Sequence, residues 1–303
     1  MPMKTYSDRL SQWLDQPQRA GWTFLAPALL VLGVFVILPM LYLVYLSLTT
    51  GHFTLKGVRW VGLAHYSKLL KDPDFWQVCG NTLIFTIGSV LPSVFLPLGL
   101  AVLLDRALVG RGILRSLYFL PAVVSIVAVG LGWRWLFQTD GWVNQLLNLQ
   151  PVIAWLNEPH WAMLILILLT VWKQLGFNMV VFLAGLQAIP QSLYDAGELD
   201  GAGAWAKFWY ITLPSLRGTI VFVAIATVIY SFRGFEQVYV LTGGGPLNAT
   251  NILVYFVYEQ AFSLFDFGYG SASAILLLAV VLVLLRILLY FEPENRQVSH
   301  PQH

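Results

Sequence analysis

Residues 22–48 read WTFLAPALLVLGVFVILPMLYLVYLSL. No charged residue interrupts this run, and about 20 apolar residues suffice to cross the ~30 Å hydrocarbon core of a bilayer. The run is too long for the apolar region of a cleaved signal, which is roughly 7–15 residues. The preceding residues 1–21 carry Lys4, Asp8, Arg9, Asp15 and Arg19. The stretch therefore reads as a retained membrane helix behind a short polar tail.

Working outward, five further apolar segments approach or exceed spanning length: 80–104, 117–137, 161–186, 217–240 and 269–291. Charged residues are 11% of the 303-residue chain and hydrophobic residues 58%, against about 25% charged in an ordinary soluble domain. So few charges cannot cover a water-exposed surface of this size, whereas lipid makes the composition sensible. The expected fold is an all-α integral membrane protein of about six transmembrane helices spanning 22–291, with polar tails at 1–21 and 292–303. Pro27, Pro39, Pro92, Pro97 and Pro121 fall inside spans. Membrane helices tolerate proline where neighbours satisfy the freed carbonyls, so a kinked bundle is expected.

Connecting loops orient the bundle through their Lys and Arg content. With both termini cytoplasmic, the inside holds Lys4, Arg9, Arg19, Arg106, Arg111, Arg115, Lys207, Arg217, Arg286 and Arg296. The outside holds Lys56, Arg59, Lys68 and Lys71, all in the first external loop. That basic external loop is an exception the rule does not explain. Trp22, Trp133, Trp135, Trp161 and Trp209 sit near the interfaces, as aromatic belts do.

Several chemistries are excluded. The single cysteine, Cys79, forms no internal disulfide and no cysteine-rich metal site. The histidines fall in loops or the tail, and no metal is expected. The net charge of +2 gives no footprint for nucleic acid. Neither GxSxG nor HExxH occurs. The glycine-rich segment 241–246 lacks the Gly-Lys-Ser/Thr of a phosphate loop.

The connection 187–216 is too short for a domain and too patterned for a random loop. Ser192 and Asp195 resemble a capping box with Asp in place of Glu, so a short helix is expected to Leu199. Asp200-Gly201 is a turn signal. Trp205, Phe208, Trp209 and Leu213 then recur at helical spacing, and Pro214 precedes the fifth span. This predicts a cytoplasmic helix–turn–helix. Spacing alone fits either a docking site or an amphipathic pair resting on headgroups.

Residues 194–214, YDAGELDGAGAWAKFWYITLP, resemble the EAA loop of the membrane subunits of binding-protein-dependent ABC importers. Asp195, Ala196 and Gly197 stand at the opening triplet, Gly201 at the glycine position, and Ile211, Leu213 and Pro214 close the pattern. Trp60-Val61-Gly62-Leu63 through Asn81-Thr82-Leu83, and Leu241 through Tyr269, look like the sugar-transporting branch, the maltose and glycerol-phosphate permease type. The likeness runs from about 22 to 291.

This resemblance implies a type I importer permease fold. It also implies partners: a second permease subunit, by family habit non-identical, two ATPase subunits and an extracytoplasmic solute-binding protein. ATP and Mg would be used by the ATPase, with no cofactor held by this chain, in a bacterial inner membrane. The EAA-like loop would dock on the ATPase through Asp195, Ala196, Gly197, Glu198, Asp200 and Gly201. Asp195 is one methylene shorter than the family's Glu, and Gly197 replaces its second Ala, which puts individual partner contacts in question.

Ionisable groups inside spans are expensive and usually face a bundle interior or watery cavity. Lys173, Gln174, Phe177 and Asn178 in the fourth span, and Ser231, Phe232, Arg233, Phe235 and Glu236 in the fifth, are the candidate solute pathway. They combine polar groups that replace water with aromatic faces that stack on sugar C–H surfaces. Other readings stand beside this one. Arg233 and Glu236, three apart on one helical face, fit a structural ion pair. Lys173 fits pairing with a carbonyl or carboxylate of a partner subunit, and the phenylalanines fit packing. The expected function is a pore-forming importer permease for a sugar or sugar-like solute, working by alternating access and not itself an enzyme. The rivals are a permease for glycerol 3-phosphate or a related ester, a passive channel, and, last, an intramembrane enzyme.

Overall fold

The computed structural model describes residues 17–50, 58–105, 111–148 and 150–290. Residues 1–16 and 291–303, which hold most of the two tails expected to be cytoplasmic and most of their basic residues, lie outside the described residues. The described chain is helical. Four helices are long and apolar enough to cross a membrane, and six crossings result if each of two bent helix pairs counts as one.

The first crossing, α1 (Gly21–Ser47), contains a π-helical turn at Gly33–Ile37. None of its most apolar stretch is buried within the chain. A short helix α2 (Ala64–Lys71) leads into α3 (Pro73–Asp105). The expected third span is instead two helices, α4 (Arg111–Val123) and α5 (Ile126–Leu136), bent by 96°. Ser125, with φ −55° and ψ 133°, breaks the helical path just after Pro121. After α6 (Trp142–Leu147), α7 (Pro159–Gln187) is the best-buried crossing. Then come α8 (Gln191–Leu199), α9 (Ala204–Ser215) and α10 (Arg217–Phe232), the last two bent by 65°. The expected fifth span 217–240 is not continuous either. It stops at Phe232 and restarts after Gly234 as α11 (Phe235–Leu241). Helices α12 (Leu253–Tyr258) and α13 (Phe267–Tyr290) complete the order.

The core forms between α3 and α7, which run side by side in the same direction. At one end, Val94, Leu98, Ala101 and Leu104 meet Met179, Phe182, Leu183 and Leu186, together with Leu216 and Val223. At the other, Phe85 packs with Ile165, Leu166, Leu169, Trp155, Val238 and Ile252. A third cluster joins Leu69, Phe75 and Val78 to Leu253, Phe256 and Tyr269. The start of α3 and the end of α7 therefore lie at opposite ends of the bundle, with α2 at the first and the 187–216 connection at the second.

Prolines inside this packing leave carbonyls to be satisfied. Pro97 has no N–H, so the Ser93 carbonyl loses its helical partner four residues on. The Asn178 amide donates to that oxygen at 2.7 Å and to Thr227 Oγ1 at 3.1 Å. One fully buried side chain thus ties α3, α7 and α10 together.

Candidate functional site

Two groups of residues carry the functional reading, one at the 187–216 connection and one at the breaks in the bundle.

In the connection, α8 begins at Gln191 behind Pro190, whose side chain makes no cap. The expected capping box is therefore absent. Ser192 lies inside the helix, because the fixed φ of Pro190 sets the helix entry two residues earlier. Asp195 instead accepts from Gln191 Nε2 at 3.3 Å, one turn back. The helix ends as the turn signal predicts. Gly201 sits at φ +76°, its N–H donates to Glu198 O at 3.0 Å, and the Ala202 N–H donates to Gly197 O at 2.8 Å. This pair of bonds is the Schellman arrangement, which needs a left-handed residue at the position Gly201 holds. Gly197 is buried beneath Ile211. Asp195, Ala196, Glu198, Asp200 and Gly201 are all exposed.

The two arms of the connection are cross-linked. Lys207 Nζ donates to Glu198 Oε1 at 2.5 Å, and Tyr194 and Thr212 share a hydroxyl hydrogen bond at 3.0 Å. The hydrogen bond from Lys207, and then its charge, hold the Glu198 carboxyl below its ordinary value. Trp205, Phe208 and Trp209 cluster with ring centroids 5.6–6.1 Å apart. Leu199, Trp205 and Tyr210 are 90%, 74% and 83% exposed. Large apolar side chains beside an acidic helix mark an interaction surface. Sequence spacing located Trp205 but not Leu199 or Tyr210, whose exposure depends on how the two arms fold back.

In the bundle, Gly176 brings α4 against α7. A Cβ there would meet Tyr118 O at 2.1 Å, so only glycine permits the approach. One turn earlier, Lys173 uses that proximity. Its ammonium donates to Pro121 O at 2.7 Å and Val124 O at 2.5 Å. These carbonyls belong to the end of α4, where the chain bends and the helix leaves its last acceptors unpaired. A cation at a helix C-terminus also meets the negative end of its dipole. The cation expected at solute hydroxyls is therefore engaged with backbone of its own chain.

The other candidates divide. Gln174, Asn178, Ser231 and Phe232 are buried, while Phe177 is 43% exposed. Ser231 Oγ donates to Val228 O at 2.8 Å. Arg233 and Glu236 do not share a helical face, because the break at Gly234 separates them. Both are exposed, and the ion pairs among the described residues are Lys68–Asp266 and Lys207–Glu198. Glu236 lies within electrostatic reach of Lys173. Phe235 belongs to a ring cluster with Tyr239, Tyr255 and Tyr258, at centroid distances of 4.8–6.0 Å. Sequence reasoning placed Tyr255 and Tyr258, but not Tyr239, in a recognisable stretch and had no signal that α11 and α12 face each other. Among the described residues, no three His, Cys, Asp or Glu side chains converge as a metal would need.

Residues 83–297 match the family described as binding-protein-dependent transport system inner membrane component. The chain is 36% identical over 293 residues to the sulfoquinovosyl glycerol transport system permease protein SmoG of Agrobacterium fabrum, covering 92% of this chain and 94% of that one. It is 34% identical to the lactose transport system permease protein LacF of Rhizobium radiobacter, covering 91% and 95%. In fold it matches a chain in the crystal structure of a bacterial ABC transporter involved in import of the acidic polysaccharide alginate. The TM-score is 0.80 at 23% identity, with 96% of this chain and 99% of that one covered. The fold is thus the type I permease fold, and the family match at 83–297 runs through both groups of residues just described. The chain belongs to the inner-membrane components of binding-protein-dependent transport systems, as an ABC sugar-transporter permease and not an enzyme.

Proposed function

We propose that this chain is one of two non-identical permeases in an ATP-driven importer that moves a neutral sugar, glycoside or polyol into the cytoplasm by alternating access. Two separate ATPase subunits, using ATP and Mg, dock on α8 and α9, and an extracytoplasmic binding protein delivers the solute at the other end. Both termini are cytoplasmic in this reading.

One observation carries it. The exposed acidic helix α8, stopped by its Schellman turn and cross-linked to α9 by Glu198–Lys207, forms a stiff lever joined to α7 by the three residues 188–190. The same α7 carries Lys173, Gln174 and Phe177. Closure of an ATPase pair on α8 would therefore be felt at the helix breaks, where packed elements have discrete alternative arrangements. Gln174, Phe177, Phe235 and Glu236, with the tyrosines beside Phe235, are the groups assigned to the solute. The neutral solute is preferred over a phosphate ester because the Lys173 charge is already engaged by two carbonyls.

The test is affinity purification in mild detergent followed by reconstitution. Recovery of an ATPase and a second permease, with ATP-dependent uptake of neutral sugar that glycerol 3-phosphate does not compete, supports the reading. An isolated chain that passes solute through liposomes without ATP overturns it in favour of a channel.

A further inference from the structure

The first external loop holds the basic residues that the orientation rule leaves unexplained. In the structure this loop carries α2, which lies at the end of the bundle opposite the α8–α9 connection. One side of α2 is fixed to the protein. Leu69 is fully buried, His65 Nε2 contacts Thr49 O at 2.8 Å, and the Tyr66 hydroxyl donates to Ser47 Oγ at 2.9 Å. Lys68 pairs with Asp266 at 3.7 Å and lies 4.2 Å over the Tyr269 ring. Asp72 is held by the Tyr269 hydroxyl.

The exposed positions of α2 itself are mixed, Ala64, Ser67, Lys68, Leu70 and Lys71, but large apolar side chains lie exposed on it and at both of its ends. Trp60, Leu63, Leu70 and Trp76 are 67%, 69%, 59% and 56% exposed. Leu63 immediately precedes α2 and Leu70 lies in its last turn, with Ser67 between them on that side, while Trp60 lies ahead of α2 and Trp76 in the first turn of α3. The Trp76 indole donates to Leu70 O at 3.0 Å, which closes the end of α2 and fixes the ring beside it. Trp76 also heads a row of exposed residues on α3, Leu83, Ile87 and Leu91, at helical spacing along the crossing. The apolar residues around α2 thus adjoin the start of a membrane helix whose Leu83, Ile87 and Leu91 line an apolar groove shared with α13. Arg59 and Lys71 are exposed next to Trp60 and Leu70 in sequence, and neither joins an ion pair among the described residues. Asp74 is the exposed carboxylate nearest in sequence.

Indole rings on either side of a short helix, exposed leucines level with the start of a crossing, and cations beside them are features of a segment lying in the bilayer interface. We propose that α2 is a membrane-surface helix at the extracytoplasmic face, with Arg59 and Lys71 binding the phosphates of anionic phospholipid headgroups. This accounts for the orientation exception. Lys68 is neutralised by Asp266, and the remaining described cations of the loop serve headgroups. The choice of face rests on the orientation proposed above.

The test places a fluorophore at exposed Ser67 (Ser67→Cys in a Cys79→Ser background). The full chain is reconstituted alone and in its transport complex, in nanodiscs of phosphatidylcholine with or without phosphatidylglycerol. Headgroup-spin-labelled phosphatidylglycerol should quench the label. Apparent affinity should fall about fivefold for each cation removed in Arg59→Gln and Lys71→Gln, with the melting temperature unchanged. It should fall again at high salt. Quenching indifferent to both cations overturns the proposal. So does a label that is shielded only when the extracytoplasmic binding protein is added, which would make the surface a protein-docking one. The measurement on the chain alone requires no ATPase, so failure of the importer reading leaves it interpretable.

Discussion

The Lys173 ammonium donates to the Pro121 carbonyl at 2.7 Å, joining residues 52 positions apart. A buried cation in the middle of one crossing thereby closes the C-terminal end of another, at the point where the chain turns through 96°. Removing it should leave two carbonyls without a donor, each at a cost of about 1–3 kcal/mol. Lys173→Met should lower the melting temperature of the purified complex and reduce uptake, with the ranking of competing solutes unchanged. A change of solute ranking at an unaltered melting temperature would instead make Lys173 a solute ligand.

Asn178 performs a related task at Pro97. Asn178→Leu keeps the volume and removes the donor to Ser93 O and Thr227. The Ser93 carbonyl then remains buried and unpaired, and a loss of roughly 1–3 kcal/mol follows. Thermal unfolding in detergent measures it. Replacing Pro97 by Ala in the same background restores a backbone N–H four residues along and should recover part of the loss.

Gly201 holds the left-handed position that ends α8. A left-handed conformation costs a residue with a Cβ about 1–2 kcal/mol, and more for a branched one. Gly201→Val should therefore loosen the Schellman turn and reduce recovery of the ATPase in affinity purification, while Gly201→Asn is better tolerated. Equal recovery from both variants would remove α8 from the docking role.

The Glu198–Lys207 contact has a defined pH window. A carboxyl held below its ordinary value of 4.5 contributes stability above that value and loses it as pH falls through the lowered one. Spin labels at Leu193 and Trp205 should keep a narrow distance distribution from neutral pH down through the ordinary carboxylate range, and broaden only at lower pH. Glu198→Gln should give the broad distribution at every pH. The exchanged pair Glu198→Lys with Lys207→Glu should narrow it again.

The sequence by itself determined that this is a membrane bundle, because 22–48 and its five apolar successors have no other stable solvent. It also determined the turn at Gly201, since Asp-Gly followed by a renewed helical period permits little else there. The spacing of Asp195, Gly201 and Leu213-Pro214 made the family legible before any fold was drawn. These features depend on local composition and on backbone dihedral preference, which neighbouring residues alone dictate.

Tertiary structure decided the rest. Hydropathy sees 117–137 and 217–240 as single spans, because it averages over the breaks at Ser125 and Gly234. It could not see that Lys173 meets the end of α4, which depends on Gly176 admitting Tyr118. Nor could it separate Arg233 from Glu236, since their three-residue spacing implies one face only while the helix continues. The exposure of Leu199 and Tyr210, and the meeting of Phe235 with Tyr255 and Tyr258, likewise depend on which helices pack together. Polar groups within a membrane take their partners from across the bundle, wherever a broken helix leaves a carbonyl unpaired. Partners so distant in the chain are set by packing and leave no local pattern.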